Sequence, residues 1–290
     1  MNAGNSIVVA VRDEASGQIA LQQALRTGQS PQDRFHIVHV SRTASWQRVS
    51  ELLLQPAWMA TGSEPDPDRY GWLRRLSESA GTAGRVVGYE VLDDEPGKAI
   101  VDFSRQVEAD LIVVATPREG HARALFIGST AMRILRTASC PVLVARGKAA
   151  SAYARALLAI DLDESGQRVA RAATQWLGDA RIELVHGFRV PQEGQLRMHG
   201  HTEEEIAKLR AVMRSEVEER LEAYRTAFPQ ASLHVEQGFA ASVILDLAMR
   251  LEPDILVLGK HRGSSADERV IGSVAQFMLY NCSTDIMLVP

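Results

Sequence analysis

Short apolar runs of four to six residues alternate along this chain with longer stretches in which apolar residues return every third or fourth position. The short runs suit strands buried on both faces of a parallel sheet, and the longer periods suit helices laid across it. In the first half the pattern predicts strands near 6–11, 35–40, 85–91, 110–115 and 141–145, with helices near 15–28, 67–80, 97–107 and 129–138. In the second half it predicts helices near 164–177, 203–226, 241–251 and 273–281. The longest of these places Ile206, Leu209, Val212, Met213, Val217, Leu221 and Tyr224 on one stripe expected to face a sheet. Its start, Glu203-Glu204-Glu205, complements the helix dipole.

The two halves are copies. Glu108 to Val144 lies on Glu252 to Leu288 at a constant offset of 144 without a gap, and eleven of thirty-seven positions are identical. Ordinary composition gives roughly two or three by chance. The matched cores read E-A-D-L-I-V-V-A-T-P-R and E-P-D-I-L-V-L-G-K-H-R, and in each, nine further residues separate the Arg from a Gly-Ser pair. Upstream, I-V-V-A-V-R-D-E at Ile7 matches L-L-A-I-D-L-D-E at Leu157, and H-I-V-H-V at His36 matches I-E-L-V-H-G at Ile182. The expected domains are residues 1–147 and 153–290, joined by a small-residue stretch. The fold class is α/β: two tandem Rossmann-like domains, each a five-stranded parallel sheet flanked by four helices.

A net charge of −4 and a sequence pI near 6.1 give no general attraction to phosphate backbones, so nucleic acid is not an expected partner. Cys140 and Cys282 stand far apart and outside any zinc or C-x-x-C spacing, as in thiol-poor proteins of a reducing compartment. The N-terminal segment lacks the basic start and long apolar core of a signal peptide, and no stretch reaches the roughly 20 apolar residues of a membrane span. A cytoplasmic location without membrane contact is expected.

In an open parallel sheet, ligands settle beyond the carboxyl ends of the strands, where loops lead into helix N-termini that favour anions. The most informative such loop is Gly259-Lys260-His261-Arg262-Gly263-Ser264-Ser265, which runs on to Gly272-Ser273-Val274. Glycines suit it because the backbone must come close to phosphate oxygens and can take a positive φ, while a serine hydroxyl and neighbouring amides donate hydrogen bonds. Other motifs carry less. Gly97-Lys98 lacks the flanking residues of a Walker A loop. His199-Gly200-His201 reads as a solvated loop rather than a metal site, and no metal site is expected. His39 and His186, at matching strand ends, could border a base or serve as structural histidines. No G-x-S-x-G elbow or H-E-x-x-H pair marks a catalyst, and no catalytic residue is assigned.

The glycine loop, its spacing to Gly128-Ser129 and Gly272-Ser273, and the closing strands at Cys140 and Thr284 resemble the universal stress protein family over nearly the whole chain, twice. The resemblance implies the adenine nucleotide alpha-hydrolase-like fold and a stress-response protein that binds or senses ATP, with Mg2+ as a candidate companion. Carried onto this sequence, the nucleotide would meet Asp161, Gly187, Leu258, Gly259, Arg262, Gly263, Gly272, Ser273 and Val274 in copy two. A second, weaker site would comprise Asp13, Val40, Ala115, Arg118, Gly128, Ser129 and Thr130 in copy one. Both copies depart from the family pattern at its second glycine, which is Arg118 or Arg262, and copy one also has Ala115, Pro117 and Arg12 where copy two has Gly259, His261 and Asp161. An Arg there can obstruct the loop or add a charge-assisted phosphate contact. The alternative is an interaction module that has lost the nucleotide. Hydrolysis would at most be slow: Asp161 and Asp163 could hold a cation, but no general base is evident. Family members commonly pair through their last strands, which implies an internal pseudo-dimer through Val142–Ala145 and Ile286–Val289, a possible homodimer of chains, and a protein partner that the sequence does not name.

Overall fold

In the computed structural model the central strands are made almost wholly of Val, Ile, Leu and Ala, as strands covered by helices on both faces require. The structure describes residues 4–28, 30–41, 70–81, 85–116, 127–146, 152–260 and 270–290. Its contacts divide the chain into two units, Met1–Gly147 and Lys148–Pro290. Among the described residues, no helix is long and apolar enough to cross a membrane.

Unit 1 contains β1 (Ser6–Val11), α1 (Glu14–Thr27), β2 (Arg34–Ser41), α2 (Gly71–Gly81), β3 (Val86–Asp93), α3 (Pro96–Gln106), β4 (Leu111–Ala115), α4 (Ser129–Thr137) and β5 (Val142–Ala145). Its strands lie in the order β3-β2-β1-β4-β5, and every ladder between them is parallel. Ile7, Val8, Val9, Ile112, Val113 and Leu143 are fully buried. The first strand therefore sits in mid-sheet, with the chain progressing to one side and then to the other. The point between β1 and β4 is the switch at which such sheets open a crevice at their carboxyl edge.

Unit 2 repeats the plan with β6 (Arg155–Ala159), α5 (Glu164–Trp176), β7 (Arg181–Phe188), α6 (Glu193–Met198), α7 (Glu203–Glu222), β8 (Ser232–Gln237), α8 (Ala240–Leu251), β9 (Ile255–Gly259), α9 (Ser273–Asn281) and β10 (Asp285–Val289). The order is β8-β7-β6-β9-β10, again parallel throughout. Tandem α/β domains with five-stranded parallel sheets are thus present, and the strand bounds of unit 1 match those expected to within a residue or two.

Two details differ from the sequence reading. A short extra helix, α6, precedes the long one, which gives unit 2 a fifth helix among the described residues, and the last part of the span 203–226 is a 3-10 turn at Ala223–Thr226. The apolar stripe of α7 is also not continuously covered: Ile206, Val217 and Leu221 are buried, but Leu209 and Val212 are exposed. Arg210 takes the inward position between Ile206 and Val217 and pairs with Glu193 of α6 and, at 2.7 Å, with Glu203. Leu209 and Val212 fall roughly 60° and 120° round the helix from Ile206, on the side away from that contact, and so face solvent.

Tyr153 donates to the buried carboxylate of Asp285 at 3.0 Å, which fixes the first residues of unit 2 to its last strand. Cys140 and Cys282 are free thiols, and burial pushes that of Cys140 up to about 12.

Candidate functional site

Register places the candidate residues of unit 2 along one edge. Ala159 of β6 pairs with Val185 of β7 and Leu258 of β9, so two residues further on Gly187, Asp161 and Lys260 stand level across adjacent strands. The amide of Lys260 donates to Val289 at 2.6 Å, and its carbonyl accepts from the amide of Gly272 at 2.8 Å. The chain that leaves β9 thus returns, and α9 starts beside the end of its own sheet. Gly272 is the N-cap, with no side-chain capping bond; Ser273 is exposed and Val274 half-buried in the first turn. A helix start of this kind offers backbone N–H groups and a partial positive charge. The Lys260 side chain is buried at the same strand end. These features fit an anionic ligand.

Leu258 is a core residue, only 3% exposed. Gly259 closes β9 opposite Val289. Gly187 is needed for packing: a Cβ there would lie 3.0 Å from the Cα of Ala240, so α8 docks directly on the end of β7. Arg262, Gly263 and Arg118 lie outside the described residues, as do His261 and Pro117.

The turn that carries Asp161 is held from two sides. Asp163 caps α5 by accepting the amide of Ser165 at 2.8 Å, which commits one of its oxygens. Arg220, at the end of α7, donates to the carbonyl of Leu162. Gly166 lets the turn close, because a Cβ there would fall 1.9 Å from the Asp161 carbonyl oxygen and 2.7 Å from the Tyr224 hydroxyl. Burial raises the Tyr224 pKa, and the nearby carboxylates of Asp163 and Asp161 add to this against Arg220. Negative charge is therefore concentrated on this turn, one strand away from the electropositive helix start.

In unit 1, Ala10 pairs with Val38 and Val114, so Val40, Arg12 and Thr116 occupy the places of Gly187, Asp161 and Lys260. Arg12 thus stands at the register of Asp161. Asp13 has the capping role that Asp163 has in unit 2: it accepts the amide of Ser16 at 2.9 Å and the guanidinium of Arg12 at 2.8 Å. Burial alone would raise its pKa, but these hydrogen bonds and the Arg12 charge hold it below the ordinary carboxylate value. Ala115 ends β4 as Gly259 ends β9. The Oγ1 of Thr116 is buried without a hydrogen-bond partner among the described residues. Gly128 caps α4 without a side-chain bond, with Ser129 exposed and Thr130 half-buried in the turn that follows.

The backbone at the two Gly-Ser pairs corrects one expectation. Gly128 has φ −64° and ψ 159°, and Gly272 has φ −60° and ψ 154°, so neither uses the left-handed freedom of glycine. At Gly128 an added Cβ would meet nothing within 4 Å among the described residues.

Both strand-end histidines take structural roles. Nδ1 of His186 lies 2.7 Å from the Ile160 carbonyl, and Nδ1 of His39 lies 3.1 Å from that of Val11. A carbonyl only accepts, so Nδ1 carries the hydrogen in each case. The ring of His39 also packs against Tyr70 and Trp72. His201 approaches Glu205 at 3.4 Å, and no group of three or more His, Cys, Asp or Glu is gathered as metal ligands among the described residues. Sequence reasoning passed over Lys260, Arg220 and Tyr224. Lys260 stood inside the motif at a position that the motif leaves open, and the other two are brought in by packing of α7 and of the 3-10 turn that follows it.

Duplicated parallel sheets, each with a glycine-serine helix start at the carboxyl edge beside its switch point, define a tandem protein of the Rossmann-like α/β class. The chain belongs to the universal stress protein family: the family's sequence model matches residues 5–146 and again 152–290. Universal stress protein MJ0531 of Methanocaldococcus jannaschii is 31% identical over 102 residues, 35% of this chain and 53% of that protein, so the match spans about half the length of this relative. A universal stress protein of Mycolicibacterium smegmatis is 25% identical over 213 residues, 72% of this chain and 70% of that protein. The crystal structure of PA1789 from Pseudomonas aeruginosa, a functionally unknown protein, has the same fold, with a TM-score of 0.69 at 17% identity over 99% of this chain and 92% of that one.

Proposed function

We propose that this protein is a cytoplasmic stress-response protein that binds an adenine nucleotide, ATP, mainly in unit 2, and conveys occupancy to a protein partner. The observation that carries the reading is the bond from the Gly272 amide to the Lys260 carbonyl. It sets an N-terminus without a side-chain cap beside a buried lysine, one strand from Asp161. Phosphates would meet the start of α9, and Asp161 would accept from the ribose hydroxyls. Unit 1 has Arg12 and Thr116 at the equivalent places and is the weaker site. The two domains, 1–147 and 153–290, are proposed as the functional units. Calorimetric titration with ATP tests the reading: saturable binding that Asp161→Ala or Gly272→Glu removes supports it, and no heat of binding with the wild type sinks it.

A second reading is an interaction module without a nucleotide. Arg118 and Arg262, at the family's second-glycine positions, favour it. It predicts no thermal shift with any nucleotide.

A further inference from the structure

Beyond Gly187 the chain continues through Phe188 to Arg189, and beyond β8 it passes through Gly238 and Phe239 into α8. Gly238, at φ 154°, donates its amide to the Phe188 carbonyl at 2.8 Å and ties the two loops together at the carboxyl edge. The guanidinium carbon of Arg189 then lies 3.8 Å from the centre of the Phe239 ring, a stacking distance. Phe239 remains 63% exposed although it holds the N-cap of α8, where it makes no capping hydrogen bond. Phenylalanine is a poor cap, so helix stability does not account for it. In unit 1 the matching N-cap is Glu95, which pairs with Arg133, so the aromatic is specific to the unit with the better-preserved site.

Position completes the case. Ala240, the residue after Phe239, is the one that packs on Gly187, which stands level with Asp161 and Lys260. From Lys260 to Gly187 is two strand spacings, about 10 Å. That is the scale of a nucleotide from its phosphates to its base. A phosphate chain at the start of α9 and a ribose at Asp161 would therefore bring the base to the loops that carry Arg189 and Phe239.

We infer that the Arg189–Phe239 pair is a stacking shelf for a planar heteroaromatic base, the base lying on the outer face of the guanidinium while the inner face rests on Phe239. Guanidinium planes and aromatic rings both stack bases, and Phe239 holds the plane of Arg189 in advance of binding. This inference rests on the nucleotide reading given above.

Calorimetric titration of the full chain with ATP and with inorganic tripolyphosphate separates the two ideas. Phe239→Ala and Arg189→Ala are expected to weaken ATP roughly tenfold or more and to leave tripolyphosphate unchanged. Arg189→Lys does not rescue, because an ammonium has no plane to stack. As a second readout, Phe239→Trp gives emission quenched by ATP but not by tripolyphosphate. ATP affinity equal in wild type and all variants, or a Phe239→Trp emission unmoved by bound ATP, overturns the shelf and leaves the nucleotide reading standing. Equal weakening of ATP and tripolyphosphate by Arg189→Ala makes Arg189 a phosphate ligand and likewise overturns the shelf. A wild type that binds neither compound overturns both.

Discussion

The Gly272 amide donates to the Lys260 carbonyl at 2.8 Å, so the first turn of α9 is fastened to the end of β9. Gly272 itself has an ordinary extended backbone, so a side chain costs little conformationally while standing at a helix start proposed to receive phosphate. Gly272→Glu is therefore expected to abolish ATP binding in calorimetry with the far-UV circular dichroism and Tm of the wild type. A large fall in Tm would show that the glycine serves folding instead.

Asp161 and Asp163 lie two residues apart, yet they are expected to behave differently. Asp163 caps α5, and losing such a cap costs about 1 kcal/mol, so Asp163→Ala should show in urea unfolding. Asp161→Ala should instead reduce ATP affinity at least tenfold in a binding titration, with the smaller change in unfolding free energy. The reverse pattern would assign the ligand to Asp163.

Two glycines test the tightness of the turns. A Cβ on Gly166 would sit 1.9 Å from a backbone oxygen of Asp161, which cannot swing aside, whereas one on Gly128 would meet nothing within 4 Å among the described residues. Gly166→Ala is expected to destabilise by about 1–3 kcal/mol or more, as overpacking does. Gly128→Ala should cost no more than a lost glycine cap, under about 1 kcal/mol. Chemical denaturation of the two variants side by side checks the contrast.

Glu183 of β7, 2% exposed in its side chain, carries a pH-dependent contribution remote from the candidate site. Arg181 lies 2.9 Å away, His234 2.9 Å and Arg155 3.9 Å. Burial would raise its pKa, but hydrogen bonds from His234 and Ser232 and the Arg181 charge outweigh that and hold it below the ordinary value of 4.5. Because the folded value is the lower one, this stabilisation is complete above the unfolded value and is lost as pH falls through the folded value. Glu183→Gln should cost roughly 1.5–3 kcal/mol near pH 7, the scale of hydrogen bonds to a charged group. The gap from wild type in urea unfolding should narrow below pH 4.5. A gap of constant size down to acid pH would remove the charge from the explanation.

The α/β fold and its duplication were legible in the sequence, because strands buried on both faces must be nearly all apolar and a repeat copies that constraint. The Gly-Ser helix starts and the matching strand-end places of His39 and His186 were legible too, because the repeat marks each of them twice. The structure bears out the placing of Arg12 at the register of Asp161, and only the tertiary structure decided that Asp13 is spent as a helix cap. It likewise decided that Arg210 interrupts the stripe of α7, that Arg220 and Tyr224 reach the Asp161 turn, and that Arg189 lies over Phe239. Hydrophobic periodicity reports which face of an element is buried, but not which distant side chain meets it. Pairings across strands and between loops far apart in sequence are set by register and packing, where a single residue's shift exchanges one neighbour for another.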